Sequence, residues 1–182
     1  SRVVQSSPEI SAAFNARSHL DQTLKNIIRM DQEFQQRGGL FFRPGGNAFE
    51  TANEFTRLHV EEYRKNGRPS LPALAMEHAG RLHLDKTSPE YKALILVAAR
   101  AELAQAVSPD YHSKFHYVDV AAVAANLAEK NNEVFSAGRP GAVRLTPAEQ
   151  ALVVIAAIGH DLDHPGCANP KDDIYKNEKS SF

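Results

Sequence analysis

Residues 146–159 read TPAEQALVVIAAIG and predict a capped, buried helix. Thr146 and Glu149 stand at the spacing of a capping box, and Pro147 lies in the first helical turn, where a proline is tolerated. The run from Ala148 to Gly159 is almost wholly apolar, which is typical of a helix inside a domain core. It is too short to cross a membrane, which takes about 20 apolar residues.

The same kind of signal recurs along the chain and predicts an all-α fold. Ser-Pro pairs at residues 7–8 and 88–89, and Asn47, are helix N-cap signals followed by apolar residues at helical spacing. The predicted helices cover residues 8–37, 47–66, 71–84 (where Pro72 and Gly80 weaken the pattern), 88–107, 110–135 and 148–159. With no alternating strand pattern and no repeat, we expect one compact multi-helix bundle over residues 1–182.

The composition is that of a soluble globular protein. Hydrophobic residues make up 42% and charged residues 24%, and 21 basic against 22 acidic side chains give a net charge of −1. This balance offers no electrostatic attraction to nucleic acid or to an anionic membrane surface. The single cysteine, Cys167, cannot form an internal disulfide, and the N-terminus lacks a signal-peptide pattern, so we expect a cytoplasmic protein.

Histidines and carboxylates form two clusters. His112 and His116 share one helix face, with Asp119 three residues further on. The pair His160-Asp161 follows the apolar helix directly, and Asp163 and His164 come next. Imidazole with carboxylate is the ligand mixture that zinc, iron and manganese prefer, and a carboxylate can bridge two ions. Four histidines lie outside these clusters and are expected at the surface or half-buried: His19, His59, His78 and His83. Either cluster alone occurs by chance, but the two together predict a metal site.

Both clusters resemble the metal motifs of class I 3′,5′-cyclic-nucleotide phosphodiesterases, a branch of the HD-type metal phosphohydrolases. Residues 111–120 read YHSKFHYVDV, beside the family's Tyr-His-Asn-x-x-His-x-x-Asp-Val. Residues 160–169 read HDLDHPGCAN, beside the family's His-Asp-x-x-His-x-Gly-x-x-Asn. Ser113 departs from the family's usual Asn. The resemblance implies the front half of a catalytic domain, whose fourth metal ligand and base-binding residues would lie beyond Phe182.

The resemblance also implies a role for each matched residue. His116, His160 and Asp161 would bind a Zn²⁺ ion, and Asp161 would bridge it to a second ion, Mg²⁺ or Mn²⁺. His112 would be the general acid that protonates the leaving ribose oxygen. The other implied residues are His164, which would hold a metal-bound water, Asp119, which would orient a ligand, and Tyr111, which would line the substrate pocket.

Three hypotheses about function stay open at this point. The first is metal-dependent hydrolysis of cyclic AMP or cyclic GMP to the 5′-monophosphate, by a hydroxide held between two ions. The second is an HD-type phosphohydrolase that acts on another nucleotide or phosphoester. The third is a catalytically incomplete fragment or regulatory module, which is expected to expose apolar surface and to form a homodimer or to associate with a missing C-terminal segment. In the first two the partner is a small nucleotide or phosphoester, not a nucleic acid or a membrane.

Overall fold

The computed structural model describes residues 22–34, 36, 47–105, 114–160 and 162, and this part of the chain is helical without a β-strand. Six helical segments lie within it: α1 (residues 22–34), α2 (Ala48–Asn66), α3 (Leu71–Arg81), α4 (Pro89–Gln105), α5 (Lys114–Ser136) and α6 (Pro147–Gly159). The all-α prediction is therefore confirmed. The predicted helix starts at residues 8 and 110 lie outside the described residues. Among the described helices, none is long and apolar enough to span a membrane.

Helix α4 lies at the centre of the bundle. Helices α2, α3 and α6 all pack on it, and α5 packs on α6 and α3. Its buried apolar residues point in several directions: Tyr91, Leu94, Ile95, Ala98, Ala99, Ala101 and Leu103. A helix that is apolar on most of its circumference is stable only when neighbouring helices enclose it. The burial of α4 thus fixes the arrangement of the helices around it.

Helix α1 covers the bundle with a single stripe of residues. Thr23, Ile27, Met30 and Phe34 are buried, at spacings of four, three and four residues that place them on one helix face. The hydroxyl of Thr23 donates to a carboxylate oxygen of Glu61 on α2 at 3.3 Å. This contact connects α1 to α2.

The start of α3 is held by two side-chain acceptors. The hydroxyl of Ser70 accepts from the backbone N–H of Ala73 at 3.2 Å, and the buried carboxylate of Glu102 on α4 accepts from the N–H of Leu71 at 3.0 Å. Pro72 lies in the first turn, where its missing N–H breaks no intrahelical bond. The proline that weakens the sequence pattern is therefore part of the helix start.

Asn132 fastens the connection between α5 and α6 by two hydrogen bonds. The side-chain amide of Asn132 donates to the carbonyl of Leu145 at 2.8 Å, and its oxygen accepts from the N–H of the same residue at 2.8 Å. The predicted capping box follows immediately, with the N–H of Glu149 bonded to the Thr146 hydroxyl at 3.2 Å and the N–H of Thr146 bonded to the Glu149 carboxylate at 2.7 Å. These bonds set where α6 begins relative to α5.

Helix α5 packs through one large aromatic ring and a row of small side chains, and several of its larger apolar residues face outward. Its buried residues are Tyr117, Ala121, Ala125 and Ala128. Val123 and Leu127, by contrast, are 56% and 65% exposed. Alanines on the inner face let the backbone of α5 approach its neighbours closely, and the larger residues are left on the outer face.

Candidate metal centre

Two of the predicted metal ligands meet at the junction of α5 and α6. His116 lies in the first turn of α5, and His160 follows the last residue of α6. Their ring centroids are 5.7 Å apart, and the ring planes are inclined at 61°. His116 is half-buried and His160 is exposed, so the pair lies at the edge of the core.

The lengths of the two helices explain why these histidines meet. The segment from His116 to Asn132 and the segment from Leu145 to His160 each rise about 22–24 Å, at 1.5 Å per residue. Asn132 fastens one end of this helix pair by its bonds to Leu145. The two segments are antiparallel and nearly equal in length. Their other ends, which carry His116 and His160, therefore lie side by side.

The imidazole of His160 is oriented by the helix that precedes it. Its Nδ1 lies 2.7 Å from the carbonyl oxygen of Ala157. A carbonyl oxygen can only accept, so Nδ1 must carry the hydrogen and donate. This tautomer assigns Nε2 as the nitrogen through which His160 can bind a metal ion.

A third ring, that of Tyr117, completes the junction and was not among the predicted site residues. Tyr117 is 1% exposed, and its ring centroid lies 5.9 Å from that of His116 and 5.7 Å from that of His160. The signal that could have found it is the spacing of Tyr117, Ala121 and Ala125, which marks the inner face of α5. One buried aromatic ring thus contacts both histidines.

The other predicted site residues are placed as follows. Asp119 lies on α5 three residues after His116 and is exposed. Four residues lie outside the described part of the chain: Tyr111, His112, Asp161 and His164. Within the described part, no group of three or more His, Cys, Asp or Glu side chains is close enough to hold a metal ion. The described junction therefore supplies two of the three predicted ligands.

The spacing of the two imidazoles fits a shared ion. With zinc–nitrogen bonds of about 2.1 Å and tetrahedral angles, two imidazoles on one zinc place their ring centroids about 5–6 Å apart. The observed separation of 5.7 Å falls in that range. The donor chemistry fits as well, because neutral imidazole is a preferred ligand of zinc.

Two histidines outside the clusters are buried, contrary to our expectation. His59 is 7% exposed and packs edge-on to Phe55, with ring centroids 4.4 Å apart. His78 is 3% exposed, and burial lowers its pKa. Both lie on the inner faces of their helices. His83 is exposed as expected, and His19 lies outside the described residues.

Comparison with known families agrees with the two motifs. Residues 111–177, less than half of the chain, match the family model described as 3′5′-cyclic nucleotide phosphodiesterase. The match contains both histidine clusters and confirms the resemblance to the class I cyclic-nucleotide phosphodiesterases, over part of that family's catalytic domain. The all-α bundle is consistent with this family. No curated protein and no solved structure matches the chain.

Proposed function

We propose that the protein is a metal-dependent phosphodiesterase that hydrolyses a 3′,5′-cyclic nucleotide to the 5′-monophosphate. The observation that carries the proposal is the pair of imidazoles, His116 and His160, which lie 5.7 Å apart inside the segment that matches the phosphodiesterase family. The family match alone supports a phosphodiesterase. The ring pair supports a metal site at the junction of α5 and α6.

The proposed ligands of the first ion are His116, His160 and Asp161. When bound, Zn²⁺ together with Mg²⁺ or Mn²⁺ would supply a water of lowered pKa and would stabilise negative charge on the phosphoryl oxygens. With its two carboxylate oxygens, Asp161 would be able to contact both ions. The exposed carboxylate of Asp119 on α5 is available to orient a ligand from the side facing solvent.

His112 is proposed as the general acid that transfers a proton to the leaving group. As an imidazolium it donates its proton to the ribose 3′ oxygen as the bond to phosphorus breaks, which keeps an alkoxide from accumulating. His164 is proposed to hold a water of the site by hydrogen bonding, and Tyr111 to line the pocket that receives the nucleotide.

Partner and location belong to the same proposal. The substrate is a small nucleotide, and the near-neutral net charge of −1 supports a role without nucleic acid.

Exposed apolar residues such as Leu127 and Leu152 support either a homodimer or association with a further C-terminal segment. A single cysteine suits a reducing compartment, so we place the protein in the cytoplasm.

The test combines metal analysis with turnover on the same 182-residue chain. Elemental analysis gives the metal content per chain, and cyclic AMP, cyclic GMP and a general phosphodiester are assayed in parallel. We expect Asp161→Ala to lose metal and activity together, since it removes a ligand and the bridge. We expect His112→Ala to keep its metal and to lose about 10²- to 10⁴-fold in turnover, the usual contribution of a general acid.

A matched control is Asp85→Ala, which removes an exposed carboxylate from the loop between α3 and α4. This variant is expected to keep both metal and turnover. Unchanged metal content in Asp161→Ala would contradict the ligand assignment, and loss of metal in His112→Ala would make His112 a ligand. Hydrolysis of the general phosphodiester alone would favour the broader phosphohydrolase, and metal without any turnover would favour an incomplete catalytic fragment.

A further inference from the structure

We infer that Asn66 is a site of spontaneous deamidation, which the last turn of α2 slows and whose product weakens that same turn. The inference does not depend on the proposed metal site. Three observations carry it: the sequence Asn66-Gly67, the hydrogen bonds at the end of α2, and the buried carboxylate of Glu62.

The sequence supplies the reactive pair. Asn66 is the only asparagine among the 182 residues that is followed by glycine, and both residues are exposed to water. In deamidation the backbone nitrogen of the following residue attacks the side-chain carbonyl carbon, loses its proton and expels the side-chain nitrogen as ammonia. Water then opens the cyclic imide to aspartate or isoaspartate. Glycine has no Cβ beside the attacking nitrogen, so ring closure is least hindered at Gly67.

The end of α2 holds both reacting groups in hydrogen bonds. Gly67 ends the helix at φ +66°, and its N–H donates to the carbonyl of Tyr63 at 2.8 Å. The side-chain amide of Asn66 donates to a carboxylate oxygen of Glu62, also at 2.8 Å. Ring closure breaks both bonds, because it takes the hydrogen from the Gly67 nitrogen and turns the Asn66 amide toward it. The reaction therefore proceeds through opened states of the last turn.

The product changes the electrostatics of this turn. Glu62 is 2% exposed, and the nearest basic group to it is the Nε of Arg68, at 3.7 Å from the oxygen that accepts from Asn66. Deamidation replaces the donor at residue 66 with a second carboxylate, so the bond is lost and two negative charges meet. Like charges four residues apart destabilise a helix, and the macrodipole disfavours a negative charge at the C-terminus.

The first assay follows the conversion along the chain. The folded wild-type chain and the same chain unfolded in guanidinium chloride are incubated in a mildly alkaline buffer, and peptide mass spectrometry reports the change from amide to acid at each asparagine. Asn53 is the internal control, because it is exposed in the middle of α2 and is followed by Glu54. We expect Asn66 to convert faster than Asn53 in the folded chain. Its conversion there should be about 10-fold or more slower than in the unfolded chain, since two hydrogen bonds must open.

The second assay measures the effect of the product directly. Asn66→Asp carries the product carboxylate, and Asn53→Asp makes the same change elsewhere on the exposed face of α2. Glu62→Gln removes the buried charge and is combined with Asn66→Asp in a double-mutant cycle. Urea unfolding of each full chain gives the folding equilibrium constant. We expect it to fall by about 10-fold in Asn66→Asp, by less in the Glu62→Gln background, and by less than about 3-fold in Asn53→Asp.

Each result decides one part of the inference. Conversion at Asn66 no faster than at Asn53 in the folded chain would overturn the assignment of the site, and equal rates in the folded and unfolded chains would overturn the role of the last turn. An equal loss from Asn66→Asp with and without Glu62→Gln would overturn the role of the two carboxylates. If Glu62→Gln does not fold, the comparison with Asn53→Asp decides that role, and equal losses in Asn66→Asp and Asn53→Asp would overturn it.

Discussion

Removing the Asn132 side chain tests how α5 and α6 are held in register. In Asn132→Ala the two 2.8 Å bonds to the backbone of Leu145 are lost. Each partly buried bond contributes about 0.5–1.5 kcal/mol, so the pair contributes about 2 kcal/mol. Alanine regains about 0.5 kcal/mol through its higher helix propensity. We therefore expect the free energy of unfolding to fall by about 1.5 kcal/mol.

The neighbouring residue provides the matched control. Asn131 donates one exposed bond to the carbonyl of Val143 at 2.7 Å and one long bond to the side-chain oxygen of Asn132 at 3.4 Å, and Asn131→Ala gains the same helix propensity. Its net effect should be close to zero. Urea unfolding measures both variants, with the change read from the midpoint at a constant slope. An effect of Asn132→Ala no larger than that of Asn131→Ala would refute the view that Asn132 fastens this connection.

Three further predictions concern packing and titration. Ala121→Leu should lower the free energy of unfolding by about 1–3 kcal/mol, because Ala121 is fully buried. Leu127→Ser, on the exposed face, should change it by about 0.5 kcal/mol or less. Urea midpoints that rank the two variants in reverse would mean that α5 is rotated about its axis. Glu102→Ala should cost about 1.5–3 kcal/mol in the same assay, because it removes a buried charged acceptor from the N–H of Leu71. Burial lowers the pKa of His78 below its ordinary 6.5, so the unfolded chain binds more protons than the folded chain below that pH. The contribution of His78 to the free energy of unfolding should therefore be complete above pH 6.5 and should be lost as the pH decreases below it. An unchanged pH dependence in His78→Gln would contradict this.

The features that follow from local chemistry could be predicted from the sequence. The capping box at Thr146 and Glu149 depends only on residues three apart, and the structure has both of its hydrogen bonds. The helix that starts after Asn47 is capped by that side chain as expected. The resemblance over residues 111–177 was predictable for a related reason, since its motifs are short and ordered.

The features that depend on packing could not be predicted in this way. The inner face of α5 consists of Tyr117 and alanines, whereas the larger Val123 and Leu127 are exposed, because close helix approach depends on the neighbouring helices. The burial of His78 has the same origin, since it depends on which face of α3 the bundle covers. The contact between Tyr117 and His160 could not be predicted because it joins α5 to the residue that follows α6.

The central claim is that His116 and His160 bind one metal ion. The most direct test is X-ray absorption at the zinc edge of the zinc-loaded chain, which counts imidazole ligands from their multiple-scattering pattern. We expect two imidazoles per zinc in the wild type and one in His116→Ala. An imidazole count that His116→Ala leaves unchanged would contradict it, as would a wild-type chain that holds no zinc.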